Sequence, residues 1–286
     1  MGKKPEQLWT APAREILRAD PDSPIADLDR NGTPGFIGKK ADGKRQLEER
    51  GAVLAELQEL LYANGRSGDE RSILLVLQGM DTSGKGGMVR HVIGHVDPQG
   101  VDHTAFGVPT ANEKRHHFLW RIEKALPRAG QLGVFDRSHY EDVLVARVDD
   151  LVPKKVWQGR YKEINNFEKE LVNRGTTIVK VAMFVSLDEQ KERLQERLER
   201  PDKYWKYSPG DVTARKRWPE YRKAYQAMLD RTNTDYAPWY VVPADRKWYS
   251  RIAVTELLID AFERLDLDWP PADFDIEKEK RRLAAS

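Results

Sequence analysis

The sequence contains no cysteine. Disulfide staples, thiolate metal sites and cysteine nucleophiles are therefore excluded. No apolar run approaches the ~18 residues that a membrane-spanning helix requires. The opening M-G-K-K-P-E-Q-L-W-T lacks the apolar core of a signal peptide. These absences make the cytoplasm the expected location, with no membrane partner. A charge excess is missing too: 48 Lys and Arg stand against 46 Asp and Glu, a formal net charge of +2 over 286 residues. Bulk attraction to nucleic acid is not expected, so any anion site has to be local. No internal repeat is found. With 40% hydrophobic and 33% charged residues, the chain reads as globular, forming one large domain or two small ones.

The most informative stretch is S-I-L-L-V-L-Q-G-M-D-T-S-G-K-G-G at residues 72–87. Its apolar run at 73–77 suits a strand buried on both faces, as in a parallel sheet. It ends in Gly79-Met80-Asp81-Thr82-Ser83-Gly84-Lys85, the phosphate-loop spacing G-x-x-x-x-G-K. The glycines let the backbone turn tightly so that amides converge on an anion, Lys85 adds a positive charge, and a helix is expected over 86–96. Gly86 and Gly87 follow Lys85 where most such loops carry the Ser or Thr that ligates magnesium. Either no metal binds, or another oxygen holds it, with Asp81 the nearest candidate. A glycine-rich turn without ligand is the plainer alternative.

Along the chain, residues 1–43 are rich in Pro, Gly and Asp and read as an extended arm on the body or a partly disordered tail. A helix is expected from Lys44 to a stop at Asn64-Gly65. Further strands are expected at 101–106, 131–135, 176–185 and 239–242. Helices are expected at 113–125, 154–174, 188–200 and 247–265, with a solvated charged tail after them. Alternating strands and helices predict an α/β fold, a three-layer α/β/α sandwich on a parallel sheet. Ligands in such folds sit beyond the carboxyl ends of the strands. Residues 79–85, 136–139 and the segment after Val185 fall along that edge.

Asp136 ends an apolar strand, and a carboxylate there can hold Mg2+ or cap the following helix. Arg137 beside it suits bidentate phosphate contact or a pair with Glu141. Arg193, Arg197 and Arg200 share one helix face. Arg197 has no acidic neighbour on that helix, which points to an external anion or to a solvated face. The cations and aromatics that follow, among them Lys203, Lys206 and Arg215, can form a lid over phosphates or a single-strand nucleic-acid surface. Their place after the arginine helix favours the lid. The histidines show no metal-ligand spacing, and Ser138 has no base partner for acyl chemistry.

Four motifs, G-M-D-T-S-G-K-G-G (79–87), F-D-R-S-H-Y-E-D-V-L (135–144), Y-W-K-Y-S-P-G-D (204–211) and A-P-W-Y-V-V-P-A-D-R-K-W-Y-S-R (237–251), resemble the polyphosphate kinase 2 family. The Gly86-Gly87 pair is that family's own form of the loop. The S-H-Y-E-D-V form at 138–143 resembles the subgroup acting on both nucleoside mono- and diphosphates. The resemblance implies a phosphate-loop kinase fold with a helical lid. The division is then an arm and helix at 1–66, a kinase domain at 67–270 with its lid at about 187–232, and a tail at 271–286. The activity implied is Mg2+-dependent transfer, with Mn2+ able to substitute, of a terminal phosphate between inorganic polyphosphate and AMP, ADP or ATP. By the same resemblance Asp81 and Asp136 hold metal and place the acceptor phosphate. Lys85 and Arg137 bind phosphate, with Gly79, Thr82, Ser83, Gly84, Gly86 and Gly87 shaping the cradle. Arg197 is the lid arginine, and Glu141 lies near the nucleotide. On the mechanism this reading favours, polyphosphate is expected to enter along a basic groove lined by Lys203, Lys206 and Arg215. A homo-oligomer, dimer or tetramer, is also implied. An ATP-dependent kinase of small molecules or nucleotides, and a non-catalytic polyanion-binding module, are the competing readings.

Overall fold

Residues 8–286 are described by a computed structural model, and residues 1–7 of the expected arm lie outside it. The strands are β1 (Ser72–Gly79), β2 (Val101–Ala105), β3 (Leu132–Asp136), β4 (Thr176–Phe184) and β5 (Trp239–Pro243). They form one sheet in the order β2-β3-β1-β4-β5, and every pairing in it is parallel. The helices are α1 (Ala13–Ile16), α2 (Lys40–Arg66), α3 (Lys85–His91), α4 (Trp120–Glu123), α5 (Val145–Val148), α6 (Lys154–Asn173), α7 (Leu187–Glu199), α8 (Pro209–Lys216), α9 (Trp218–Thr232), α10 (Lys247–Glu263) and α11 (Ile276–Ala284).

The continuous apolar run of β1 is explained by its central place, because every residue of the strand is buried. Ile73, Leu75 and Leu77 join the core layer with Leu54, Met88, Leu257 and Leu258 of α2, α3 and α10. Leu74 and Val76 face the opposite layer, with Ile164 and Leu171 of α6 and Met228 of α9. Helices therefore cover both faces, as the α/β/α expectation requires. The approach of α2 to α10 is close: a Cβ on Gly43 would lie 2.3 Å from the Trp248 ring.

From residue 8 onward, the arm lies on this body. Trp9 bridges to Phe36, the Ala19 N–H donates to the Trp239 carbonyl, and the Val241 N–H donates to that of Leu17. Some element boundaries differ from the sequence expectation. Helix α2 begins at Lys40, where the Asp42 carboxylate accepts the Lys39 N–H at 2.8 Å. Helix α3 stops at His91. The helix expected at 113–125 is broken into a short 3-10 turn at Glu113–Arg115 and the single turn of α4. Between them His116 is extended and stacks its ring on Trp120 at 4.0 Å, so ring packing replaces the helical ladder there. The tail is not featureless, since Asp275 caps α11, although that helix buries no residue. Among the described residues no helix is long and apolar enough to cross a membrane.

Candidate active site

The sheet brings the polar residues together at one end. β1 and β3 pair in register with Leu77 beside Asp136, so the loop leaving β1 passes the carboxylate that ends β3. The chain order reverses between these two strands, because β2 lies beyond β3 while β4 lies on the other side of β1. Such a switch point opens a crevice.

The loop at 79–85 is shaped by contacts that leave little freedom. A Cβ on Gly79 would lie 2.5 Å from the Ser83 hydroxyl and 2.6 Å from the Met183 carbonyl, so glycine is required. Gly84 is left-handed, and Thr82 is also left-handed with φ 67°. A non-glycine residue there is strained and persists only where its surroundings hold it. Two side chains of α7 do so. Gln190 donates to the Asp81 carbonyl at 3.0 Å, and the buried Arg193 donates to those of Thr82 (2.8 Å) and Ala244 (2.7 Å). Within the loop the Ser83 N–H donates to the Met80 carbonyl at 3.0 Å, which closes the turn. Replacing Arg193 by alanine leaves the two carbonyls unpaired, for an expected loss of about 1–3 kcal/mol. Urea unfolding measures this; a midpoint equal to the parent's would show that the contact is idle.

Lys85 is buried, and its ammonium donates to the Gly79 carbonyl at 2.5 Å. Burial lowers its pKa, while Asp81, Asp136 and Glu141 favour the charged form and Arg137 opposes it. Asp81, Asp136, Arg137 and Glu141 thus lie within electrostatic reach of one ammonium. Arg137 is left-handed, with φ 65°, and donates to Asp81 Oδ1 at 3.1 Å. Burial works against its charge, but Glu141, Asp81 and Asp136 together raise its pKa. Burial pushes the Glu141 carboxyl above its usual value, with Arg137 and Lys85 pulling it down. Gln78 holds that turn in place. With its amide oriented to accept from the Ser138 N–H and hydroxyl, its NH2 lies 3.0 Å from Glu141 Oε1.

The structure places Arg197 differently from the sequence expectation of an arginine without an acidic partner. It pairs with Asp211 of α8 at 3.2 Å and donates to the Lys206 carbonyl at 2.8 Å. Burial, then Asp81, raises the Asp211 pKa, while Arg197 and Arg137 lower it, so this pair lies within reach of the loop. Lys203 pairs with Glu196, Lys206 sits over the Trp205 ring, and Arg215 is held by Leu187 and Gln190. Among the described residues, none of these three is hydrogen-bonded or ion-paired to residues 79–85. Gln78, Gln190 and Asp211 carry no role in the sequence reading, and Arg193 enters it only as one of the three arginines on a shared helix face. A lone glutamine ending an apolar strand is a visible signal for Gln78; Arg193 has Glu189 four residues before it on the same helix and pairs with it at 2.7 Å.

Two hydroxyls, Thr82 Oγ1 and Ser83 Oγ, are buried without a hydrogen-bond partner. Buried polar atoms are rarely left so, and in this cradle they fit phosphate oxygens or the waters of a phosphate-bound cation. No group of three or more acids and histidines is arranged for a metal among the described residues. Mg2+ does not need one, because it commonly takes one or two carboxylates and completes its shell with substrate phosphates and water. Asp81 and Asp136 fit that demand. Beside the loop, Ile25, Arg30, Met80, Trp218, Arg222 and Tyr225 line an apolar recess.

Residues 38–268 match the model of the family described as polyphosphate kinase 2. The chain is 44% identical over 264 residues to an AMP/ADP-polyphosphate phosphotransferase of Meiothermus ruber, covering 92% of this chain and 94% of that one. It is 40% identical over 229 residues to an ADP-polyphosphate phosphotransferase of Rhodopseudomonas palustris, covering 76% and 78%. The crystal structure of a polyphosphate kinase 2 from Arthrobacter aurescens TC1 superposes with a TM-score of 0.95 at 52% identity, over 97% of this chain and 98% of that one.

Proposed function

The chain belongs to the polyphosphate kinase 2 family and is an enzyme of that type, and from this we propose that it moves the terminal phosphoryl group of inorganic polyphosphate onto AMP and ADP, reversibly. One observation carries the reading: a strained loop with buried, unpartnered hydroxyls, one ammonium, one guanidinium and three carboxylates converge at the switch point.

Phosphoryl transfer asks little covalent work of a protein; it asks for position and for positive charge in line with the moving group. Lys85 and Arg137 supply that charge from fixed places, and Arg197 adds to it when the lid closes. Its bond to Asp211 then keeps the guanidinium aimed until phosphate competes for it. A phosphate oxygen is already ionised near neutral pH, so no strong general base is needed. Asp81 and Asp136 would hold Mg2+, or Mn2+ in its place, which when bound neutralises charge on the transferring group. Glu141 faces the same cluster, within electrostatic reach of Arg137 and Lys85, and its expected role is contact with the nucleotide. The family likeness also supports a cytoplasmic homo-oligomer, dimer or tetramer.

The test is purified protein with Mg2+, long polyphosphate, and AMP, ADP, GMP and GDP in parallel. ADP and ATP should form from AMP and ADP, and EDTA should abolish both. Turnover with ATP and small acceptors but none with polyphosphate would instead establish the ordinary kinase.

A further inference from the structure

Gln78 is a wholly buried amide at the end of β1, followed directly by the loop. Burying an amide is unfavourable unless its hydrogen bonds are made. Its oxygen accepts from the Ser138 N–H at 3.1 Å and from the Ser138 hydroxyl at 3.0 Å, and its NH2 donates to Glu141 Oε1 at 3.0 Å. The Ser138 oxygen in turn accepts the Tyr140 N–H at 3.2 Å. In this orientation each donor meets an acceptor; the reverse would set the amide oxygen against the carboxylate. One side chain thus grips both ends of the turn at 138–141. Arg137 and Lys85 both attract Glu141. Yet among the described residues neither is hydrogen-bonded or ion-paired to it: Arg137 pairs with Asp81 at 3.1 Å, and the Lys85 ammonium donates to the Gly79 carbonyl. A carboxylate four positions from a guanidinium, in a site largely shielded from water, gains most by closing on it. The bond to Gln78 opposes that closure.

We propose that Gln78 is a positioning residue that holds the Glu141 carboxylate off Arg137 and Lys85, so that both cations stay open to phosphate. The inference rests on the polyphosphate reading given above. Without the amide, the carboxylate swings onto the Arg137 fork and competes there, as an internal anion, with the incoming phosphate. Gln78 touches no reacting atom; it acts only through the place it gives Glu141.

A double-mutant cycle of Q78L and E141Q, read as kcat/KM for polyphosphate at saturating ADP, tests this; any direct contact of Glu141 with the nucleotide cancels in the ratios. Q78L alone should lower kcat/KM about tenfold, chiefly through KM. In the E141Q background no anion is left to be released, so adding Q78L should cost less than about twofold. Q78E keeps an acceptor for Ser138 but sets one carboxylate against another, so it should be impaired as Q78L is, and it keeps the test sound if the leucine variant folds poorly. Q78E/E141Q exchanges donor and acceptor, remakes the hydrogen bond and should regain most of the lost polyphosphate KM. A merely structural amide gives losses that add, with no rescue by the exchange. Additive losses, or Q78L and Q78E both equal to the parent, overturn the role of Gln78 while leaving the polyphosphate activity standing. A parent that turns over no polyphosphate overturns the activity, and this role with it.

Discussion

Lys85→Ala should lower kcat by about 10²–10³-fold, the usual cost of deleting one preorganised charge contact, about 3–4 kcal/mol of transition-state stabilisation. The reason lies in its surroundings. The ammonium is buried, tied to the Gly79 carbonyl, and balanced by Asp81, Asp136 and Glu141, so it does not have to reorganise when charge develops on the moving phosphoryl group. Water filling the vacated space would have to orient anew at each turnover. Coupled assays with polyphosphate and ADP, alongside a thermal melt to confirm folding, give the number. Parent-like turnover would remove Lys85 from the reaction.

Lys180→Met should destabilise the fold by about 3–5 kcal/mol, the cost of leaving one member of a buried ion pair alone. Lys180 is wholly buried in β4, and its ammonium donates to Glu168 Oε2 (2.7 Å), the Tyr140 hydroxyl (2.9 Å) and the Thr232 carbonyl (2.7 Å). Tyr140 donates to Glu168 Oε1 at 2.6 Å, and His139 lies 3.2 Å from the same oxygen. Burial favours a neutral Glu168, yet Lys180 and His139 outweigh it and hold the carboxyl below its usual value. Its contribution is therefore complete above the unfolded carboxylate pKa and is lost as pH falls through the lowered folded one. Lys180→Met should flatten that acid-side loss as well as reduce the unfolding free energy in urea. Lys180→Met with Glu168→Leu should be more stable than the single variant, because no charge is then left unmatched. An unfolding free energy unchanged in Lys180→Met would refute this. The same network anchors residues 139 and 140, immediately before Glu141, so it also steadies the turn that faces Lys85.

What was legible in the sequence was local. The loop at 79–85 declares itself because spacing, strand and lysine are contiguous, and Asp136 because it ends an apolar run. The fold class followed from alternation alone. What escaped notice depends on partners far along the chain. Asp211 reaches Arg197 from a separate helix, so the arginine looked unpaired when only its own helix could be read. Lys180 sits in the β-rich run T-T-I-V-K-V-A-M-F, and nothing in that run tells that Glu168 and Thr232 will close over it. The helix expected at 113–125 failed because helical propensity was set against a stacked His116–Trp120 pair that periodicity cannot see.

The arm that crosses β5 has a consequence for solubility. A sheet of this kind ends in two rows of unspent backbone donors and acceptors, which invite strand addition by another copy. On one flank, residues 17–19 already occupy the row offered by β5. On the other, β2 is only five residues long and carries Asp102 in a pair with Arg128, a charged rim that resists docking. Proteolytic trimming ahead of residue 20 would strip the first of these guards and leave a sticky ribbon beside an otherwise intact catalytic cleft.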